Sequence, residues 1–73
     1  MKKNNYFGKN LRRLRLERGL SQEKLANMIG RGRVSITEWE LGTKYPQVNW
    51  LYEIAEKLGV EPSELINVEN SDI

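Results

Sequence analysis

The sequence predicts an all-α fold, a compact bundle of five helices that contains a helix-turn-helix. Apolar residues recur at helical spacing in successive segments, glycine or proline separates these segments, and no segment alternates as a strand does. The length of 73 residues indicates one domain, expected over residues 1–66, with a polar, acidic tail over 67–73. With no cysteine, this domain depends on an apolar core for its stability.

The first helix is predicted over residues 5–18. Its buried stripe consists of Phe7, Leu11 and Leu14. Asn4 or Asn5 can cap its start, and Gly19 is suited to the left-handed position that follows a helix.

The second helix is predicted over residues 22–29, with Ser21 as its N-cap. Its buried face consists of Leu25, Ala26 and Ile29. A short glycine-containing turn at 30–32 interrupts the pattern, and helical spacing resumes over about 33–41 and stops at Gly42. Two short helices joined by such a turn meet at a steep angle, which predicts a helix-turn-helix over about 22–41.

The fourth and fifth helices follow the loop that contains Pro46. The apolar stripe of the fourth consists of Val48, Leu51, Ile54, Ala55 and Leu58. Gly59 closes this helix, and Pro62 at a first helical position opens a short fifth helix that carries Leu65 and Ile66.

The net charge of +2 conceals a strong asymmetry along the chain. Residues 1–20 hold seven basic residues and one acidic residue, whereas residues 46–73 hold one basic and six acidic residues. This asymmetry suggests one face that meets a polyanion and one that avoids it, although an ordinary solvated surface accounts for the charges equally well.

Composition limits the function classes. Cysteine and histidine are absent, so we expect no metal site and no cofactor, and the commonest nucleophile and general base near neutral pH are missing. No apolar run exceeds three residues, which argues against a membrane span. We therefore expect a cytoplasmic protein that is not an enzyme.

The segment LSQEKLANMIG, followed by Ile36, Trp39, Glu40 and Gly42 and then by LYEIAEKLGV after Pro46, resembles the phage lambda repressor and Cro family, also called XRE-type. The similarity covers about residues 7–66. It implies a five-helix DNA-binding domain whose third helix enters the major groove of double-stranded DNA. The expected function is sequence-specific transcriptional regulation, as a repressor of phage, mobile-element or bacterial origin that binds a palindromic operator as a homodimer.

Three positions depart from the family pattern. Arg31 replaces a small apolar residue in the turn, Gly32 replaces a Ser or Thr cap, and Gln47 replaces a Ser cap before the fourth helix. Glycine at an N-cap costs only a few tenths of a kcal/mol relative to Ser, so the third helix should still form.

Helical spacing divides the third helix into two faces. Ile36 and Trp39 point into the core, and the outward residues are Arg33, Val34, Thr37 and Glu38. We expect these four to read bases. An arginine can donate two hydrogen bonds to guanine, a valine methyl can contact a thymine methyl, and a glutamate can accept from cytosine. Phosphate contact is the alternative for Arg33, and a merely solvated carboxylate is an equal alternative for Glu38.

Phosphate contacts need polar or basic side chains around the groove. The candidates are Gln22, Arg31, Ser35, Thr43, Lys44, Arg13 and Asn10. For any single Lys or Arg the alternative is a solvated charge. The resemblance further implies that Arg15 and Glu40 form a structural ion pair between the first and third helices.

A dimer contact is expected through the fourth helix and the region of the fifth. The candidates are Trp50, Val48 and Leu65, and packing of Trp50 within one chain is the alternative. A second function class, an antitoxin-like or adaptor domain that grips another protein, would present a more apolar third helix. No small-molecule ligand is evident from the sequence.

Overall fold

The computed structural model describes residues 6–67 as five helices joined by short turns. The helices are α1 Tyr6–Glu17, α2 Gln22–Ile29, α3 Arg33–Leu41, α4 Val48–Leu58 and α5 Pro62–Ile66. No strand occurs over these residues, so the predicted all-α class and the five helices are confirmed. The predicted caps Asn4 and Asn5, and the tail from residue 68 onward, lie outside the described part of the chain.

The helix boundaries follow from local chemistry. Ser21 caps α2, because its Oγ accepts a hydrogen bond from the Lys24 backbone N–H at 2.9 Å. Gly30 ends the same helix in the left-handed conformation, at φ 78°. The N–H of the next residue, Arg31, donates to the Ala26 carbonyl of the last turn at 2.9 Å. Pro62 begins α5 as predicted, and the Glu64 carboxylate accepts from the Glu61 N–H.

One apolar core is shared by all five helices. Its buried members are Phe7, Leu11, Leu14, Leu25, Ala26, Ile29, Ile36, Trp39, Ile54, Ala55, Leu58 and Leu65. The predicted stripes of α1 to α3 are therefore confirmed. In α4 the prediction was wrong at Val48, which is 62% exposed because it lies in the first turn, at the edge of the core.

α3 packs against both α2 and α1. α2 contacts α3 across the 30–32 turn, and α1 contacts both α3 and α5. Phe7 of α1 meets the Trp39 ring edge-on at 6.3 Å and the Tyr45 ring at 5.4 Å. α3 is consequently held on its inner side, while its outer side faces away from the core.

None of the helices within residues 6–67 has the length and apolar character needed to cross a lipid bilayer.

Candidate nucleic-acid interface

The exposed end of α3 is built by the turn that precedes it. Gly32 occupies the N-cap in an extended conformation, φ −77°, and supplies no side-chain cap, so α3 begins at Arg33 as expected. Arg33 is exposed and Val34 is 66% exposed, whereas Ile36 is fully buried one turn later. The first turn of α3 thus projects one guanidinium and one apolar side chain outward.

Farther along α3 the outward face is less accessible. Thr37 and Glu38 are half-buried, and both lie on the side of the helix that was predicted to face DNA. The Glu38 backbone carbonyl accepts from the Thr43 N–H at 3.1 Å, which folds the following loop back onto the end of α3. The four predicted base-reading residues therefore share one helix face, with the most accessible pair at its N-terminal end.

Arg15 of α1 and Glu40 of α3 form a two-point ion pair. Arg15 Nε lies 2.7 Å from Glu40 Oε2 and Nη2 lies 3.0 Å from Oε1, and the two side chains are only 6% and 4% exposed. Arg15 Nη1 also donates to the Leu20 carbonyl at 2.8 Å. The hydrogen bond to Glu40 and the charge of Glu40 raise the pKa of Arg15, although burial opposes this shift.

Gln22 extends this pair into a chain of hydrogen bonds across three helices. Its Nε2 donates to Glu40 Oε1 at 3.0 Å, and its Oε1 accepts from the Thr37 hydroxyl at 2.9 Å. The side chain of Gln22, expected to contact phosphate, is thus engaged within the protein, and the hydroxyl proton of Thr37 is already used. What Thr37 still presents outward is its methyl group and the lone pairs of its oxygen.

Arg31 is held in the turn by two kinds of contact. Its Nε and Nη2 both donate to Ser35 Oγ, at 3.1 and 2.6 Å. Its guanidinium carbon lies 4.8 Å from the Trp50 ring centroid and 5.4 Å from that of Trp39. Arg31 and Ser35, both predicted to contact phosphate, are therefore bonded to each other, and α4 joins them through Trp50.

The loop after α3 carries two predicted phosphate donors, Thr43 and Lys44, and both are exposed. The Thr43 hydroxyl donates to the Glu38 carbonyl at 3.4 Å. Lys44 and Arg31 both line a cleft of about 300 Å³ between the end of α3, the loop and the start of α4. This cleft has a cationic side chain from the turn and another from the loop.

Asn10 was predicted to contact phosphate, and its position in the structure argues against this prediction. It is 1% exposed, and its Nδ2 donates to the carbonyls of Leu65 and Asn67 at 2.9 and 3.0 Å. Its side chain therefore ties α1 to the end of α5 and is not available to DNA. Arg13 is exposed, but it donates to Asn10 Oδ1 at 3.3 Å and lies 3.5 Å from the Glu17 carboxylate.

The prediction of Leu65 as a dimer contact was wrong, because Leu65 is fully buried in the core of its own chain. Trp50 is half-buried and its ring lies 6.3 Å from that of Trp39, so much of it packs within the chain. Val48 remains accessible, and Tyr52, one turn later on α4, is 60% exposed. The accessible apolar residues of α4 are thus Val48 and Tyr52.

The structure shows roles for two side chains that were not predicted from the sequence. Arg18 donates through Nε to the Leu58 carbonyl at 2.7 Å, which satisfies the end of α4, and through Nη1 to the Leu14 carbonyl at 3.0 Å. Gln22 was expected to act on DNA, and its bonds to Glu40 and Thr37 were not foreseen. Both roles join residues far apart in sequence, which periodicity does not reveal.

Known proteins share this arrangement. Residues 8–71 match the family described as "Helix-turn-helix domain". A cryptic phage CTXphi transcriptional repressor, RstR of Vibrio cholerae, is 36% identical over 67 residues, which are 92% of this chain and 60% of the repressor's length. The chain therefore spans less than two thirds of that relative.

Two solved structures are similar as well. The restriction-modification controller protein C.AhdI from Aeromonas hydrophila is 38% identical with a TM-score of 0.78, over 82% of this chain and 87% of its own. The P22 c2 repressor, crystallised with a synthetic operator, is 25% identical with a TM-score of 0.80, over 86% and 96% of the two chains. The chain belongs to the helix-turn-helix domain family, of the lambda repressor and Cro (XRE) type.

Proposed function

We propose that this protein is a transcriptional regulator, a repressor, that binds a specific double-stranded DNA operator through the major groove with α3. The observation that carries this proposal is the first turn of α3, where Arg33 and Val34 project from a helix whose other side is fixed by the Glu40 bonds. A helix held in this way presents its side chains at fixed positions, which base recognition requires. Its activity is binding and not catalysis.

Base reading is assigned to the outward face of α3. Arg33 donates to O6 and N7 of a guanine, and Val34 contacts a thymine methyl. Glu38 accepts from a cytosine amine, and Thr37 contributes its methyl group, because its proton is donated to Gln22. This set favours a half-site that contains both G·C and A·T pairs.

Phosphate binding is assigned to groups beside the groove. Thr43 and Lys44 lie in the loop after α3, both exposed. α2 begins at Gln22, and its N-terminus presents backbone N–H groups. The Gln22 side chain itself is hydrogen-bonded to α3. Ser35 and Arg13 are assigned to the same purpose. These groups fix the register of the protein on the duplex.

A homodimer on a palindromic operator completes the proposal, with the contact on the exposed face of α4. Val48 and Tyr52 lie one helical turn apart and are both more than half exposed. Two copies related by a two-fold axis would place their α3 helices in half-sites about 34–36 Å apart, one turn of B-DNA. The RstR and P22 c2 relatives, both named repressors, support a regulatory role. A regulator of this kind would act in the cytoplasm, at the nucleoid.

Selection of bound sequences from random duplexes tests the proposal, with the Arg33→Ala variant run in parallel. We expect an enriched palindrome for the natural sequence and relaxed preference at one G·C pair per half-site for the variant, a loss of about 1–3 kcal/mol of discrimination. Lys24→Ala, at an exposed position of α2, is the control and should keep the consensus. No enrichment, together with capture of a protein by the α4 face, would favour an adaptor domain instead.

A further inference from the structure

Arg31 connects the turn, α3 and α4. Its guanidinium lies over the rings of Trp50 and Trp39, at 4.8 and 5.4 Å, and is oriented by two hydrogen bonds to Ser35 Oγ. A planar cation over an aromatic face is attracted by the negative charge of that face. The contacts with the two rings and the two hydrogen bonds together restrain the position of the guanidinium.

The tryptophan pair beneath Arg31 is the junction between α3 and α4. The ring centroids of Trp39 and Trp50 lie 6.3 Å apart with their planes inclined by 46°. Trp39 is 3% exposed and belongs to the core, whereas Trp50 is half-buried and reaches it from α4. Because Arg31 covers both rings, removal of its guanidinium would open the junction to water and allow α3 to shift against α4.

We propose that Arg31 is a positioning residue for DNA recognition, which fixes α3 against α4 through Trp50 and Ser35 instead of neutralising a phosphate. This inference rests on the proposed function. Two of its five N–H groups are engaged by one hydroxyl, so the fork that would clasp a phosphate is partly occupied. Arg33 lies two residues further on, and a recognition side chain must be held within about 0.5 Å of its productive position.

Arg31→Lys is the decisive variant. Lysine keeps the positive charge but has neither the planar face nor the fork, so at a stacked site it does not replace arginine. We expect affinity for the selected operator to fall about two- to fivefold, the scale of a cation–π contact at an exposed site, with unchanged affinity for random duplex and an unchanged salt slope. Arg12→Lys, an exposed arginine on α1, is the matched control and should bind as the natural sequence does.

A phosphate role gives the opposite pattern. Arg31→Lys would then keep its operator affinity, and Arg31→Gln would weaken operator and random duplex equally, with a log–log salt slope smaller by about 0.9. A purely structural role would lower the melting temperature of Arg31→Lys and leave binding intact well below it. Either result overturns the inference.

Trp50→Leu provides the second arm. If Arg31 acts through the Trp50 ring, Arg31→Lys and Trp50→Leu lose operator affinity non-additively, and the double variant is hardly weaker than either single variant. Additive losses overturn the inference. If the natural sequence shows no operator preference, both the proposed function and this inference are overturned. If the natural sequence has a preference and Arg31→Lys retains it in full, the inference alone is overturned.

Discussion

Arg15 of α1 and Glu40 of α3 are joined at two points, at 2.7 and 3.0 Å, by side chains that are almost entirely removed from solvent. Gln22 donates to the same carboxylate from α2. Groups from three helices therefore meet at Glu40, which ties α3 to α1 and α2.

Glu40→Ala is expected to destabilise the fold strongly. It leaves the buried Arg15 guanidinium without its partner, and stranding one member of a buried pair costs about 3–5 kcal/mol. Urea denaturation followed by circular dichroism measures the loss. Glu38→Ala on the same helix is the control, because the Glu38 side chain makes no such pair and should change stability by less than about 0.5 kcal/mol. Equal stability of the two variants would contradict the structural role of Glu40.

Asn10→Ala is expected to lower stability by about 1–3 kcal/mol, because the carbonyls of Leu65 and Asn67 lose their donor. Operator affinity, measured well below the melting temperature, should stay unchanged. Asn49→Ala, at an exposed position of α4, is the control and should alter neither quantity. A stable Asn10→Ala protein with weakened DNA binding would restore the phosphate contact that the burial of Asn10 argues against.

Substitutions at the two glycines of the 30–32 turn should change stability in opposite directions. A Cβ at Gly30 meets no atom within 4 Å, so Gly30→Ala pays only for the left-handed backbone at φ 78°, roughly 1–2 kcal/mol. Gly32 has an ordinary φ of −77° and open space around it, so Gly32→Ser adds a helix cap and is expected to stabilise by a few tenths of a kcal/mol. Thermal melts of both variants check the signs. A destabilised Gly32→Ser protein would show that the cap geometry is not reached.

Stability should be nearly independent of pH between 6 and 8. The chain has no histidine. Arg15 has a raised pKa, so its contribution to stability is complete below its ordinary pKa, which is itself far above this range, and is lost only as the pH rises through the still higher pKa in the folded protein. Urea midpoints at pH 6, 7 and 8 test this, and a change above about 0.5 kcal/mol would point to another titrating group.

Local chemistry made most of the fold predictable. Ser21, Gly30 and Pro62 mark helix ends by their own backbone and capping preferences, and the 3.6-residue period of apolar side chains identifies the core face of each helix. Asn10 carried a usable signal as well. It lies three residues after Phe7 and four before Leu14, on the buried stripe of α1, and a polar residue there predicts a buried hydrogen bond.

The remaining features depend on contacts between distant segments. Arg31 reaches Trp50 across 19 positions of sequence, and Gln22 reaches Glu40 across 18, so no local pattern encodes either contact. Charge alone favoured phosphate for Arg31. The two aromatic rings beneath the guanidinium and the hydrogen bonds to Ser35, which engage two of its N–H groups, are the contacts that support the proposed positioning role instead.

The bond from Thr37 to Gln22 has a consequence for the thermodynamics of complex formation. Both side chains are already ordered in the free protein, and Gln22 is fixed further by Glu40. Immobilising a flexible side chain at an interface costs about 0.5–1.5 kcal/mol of conformational entropy, and this cost is met here during folding. A small recognition surface can then reach useful affinity with few contacts, because association has less side-chain motion to suppress.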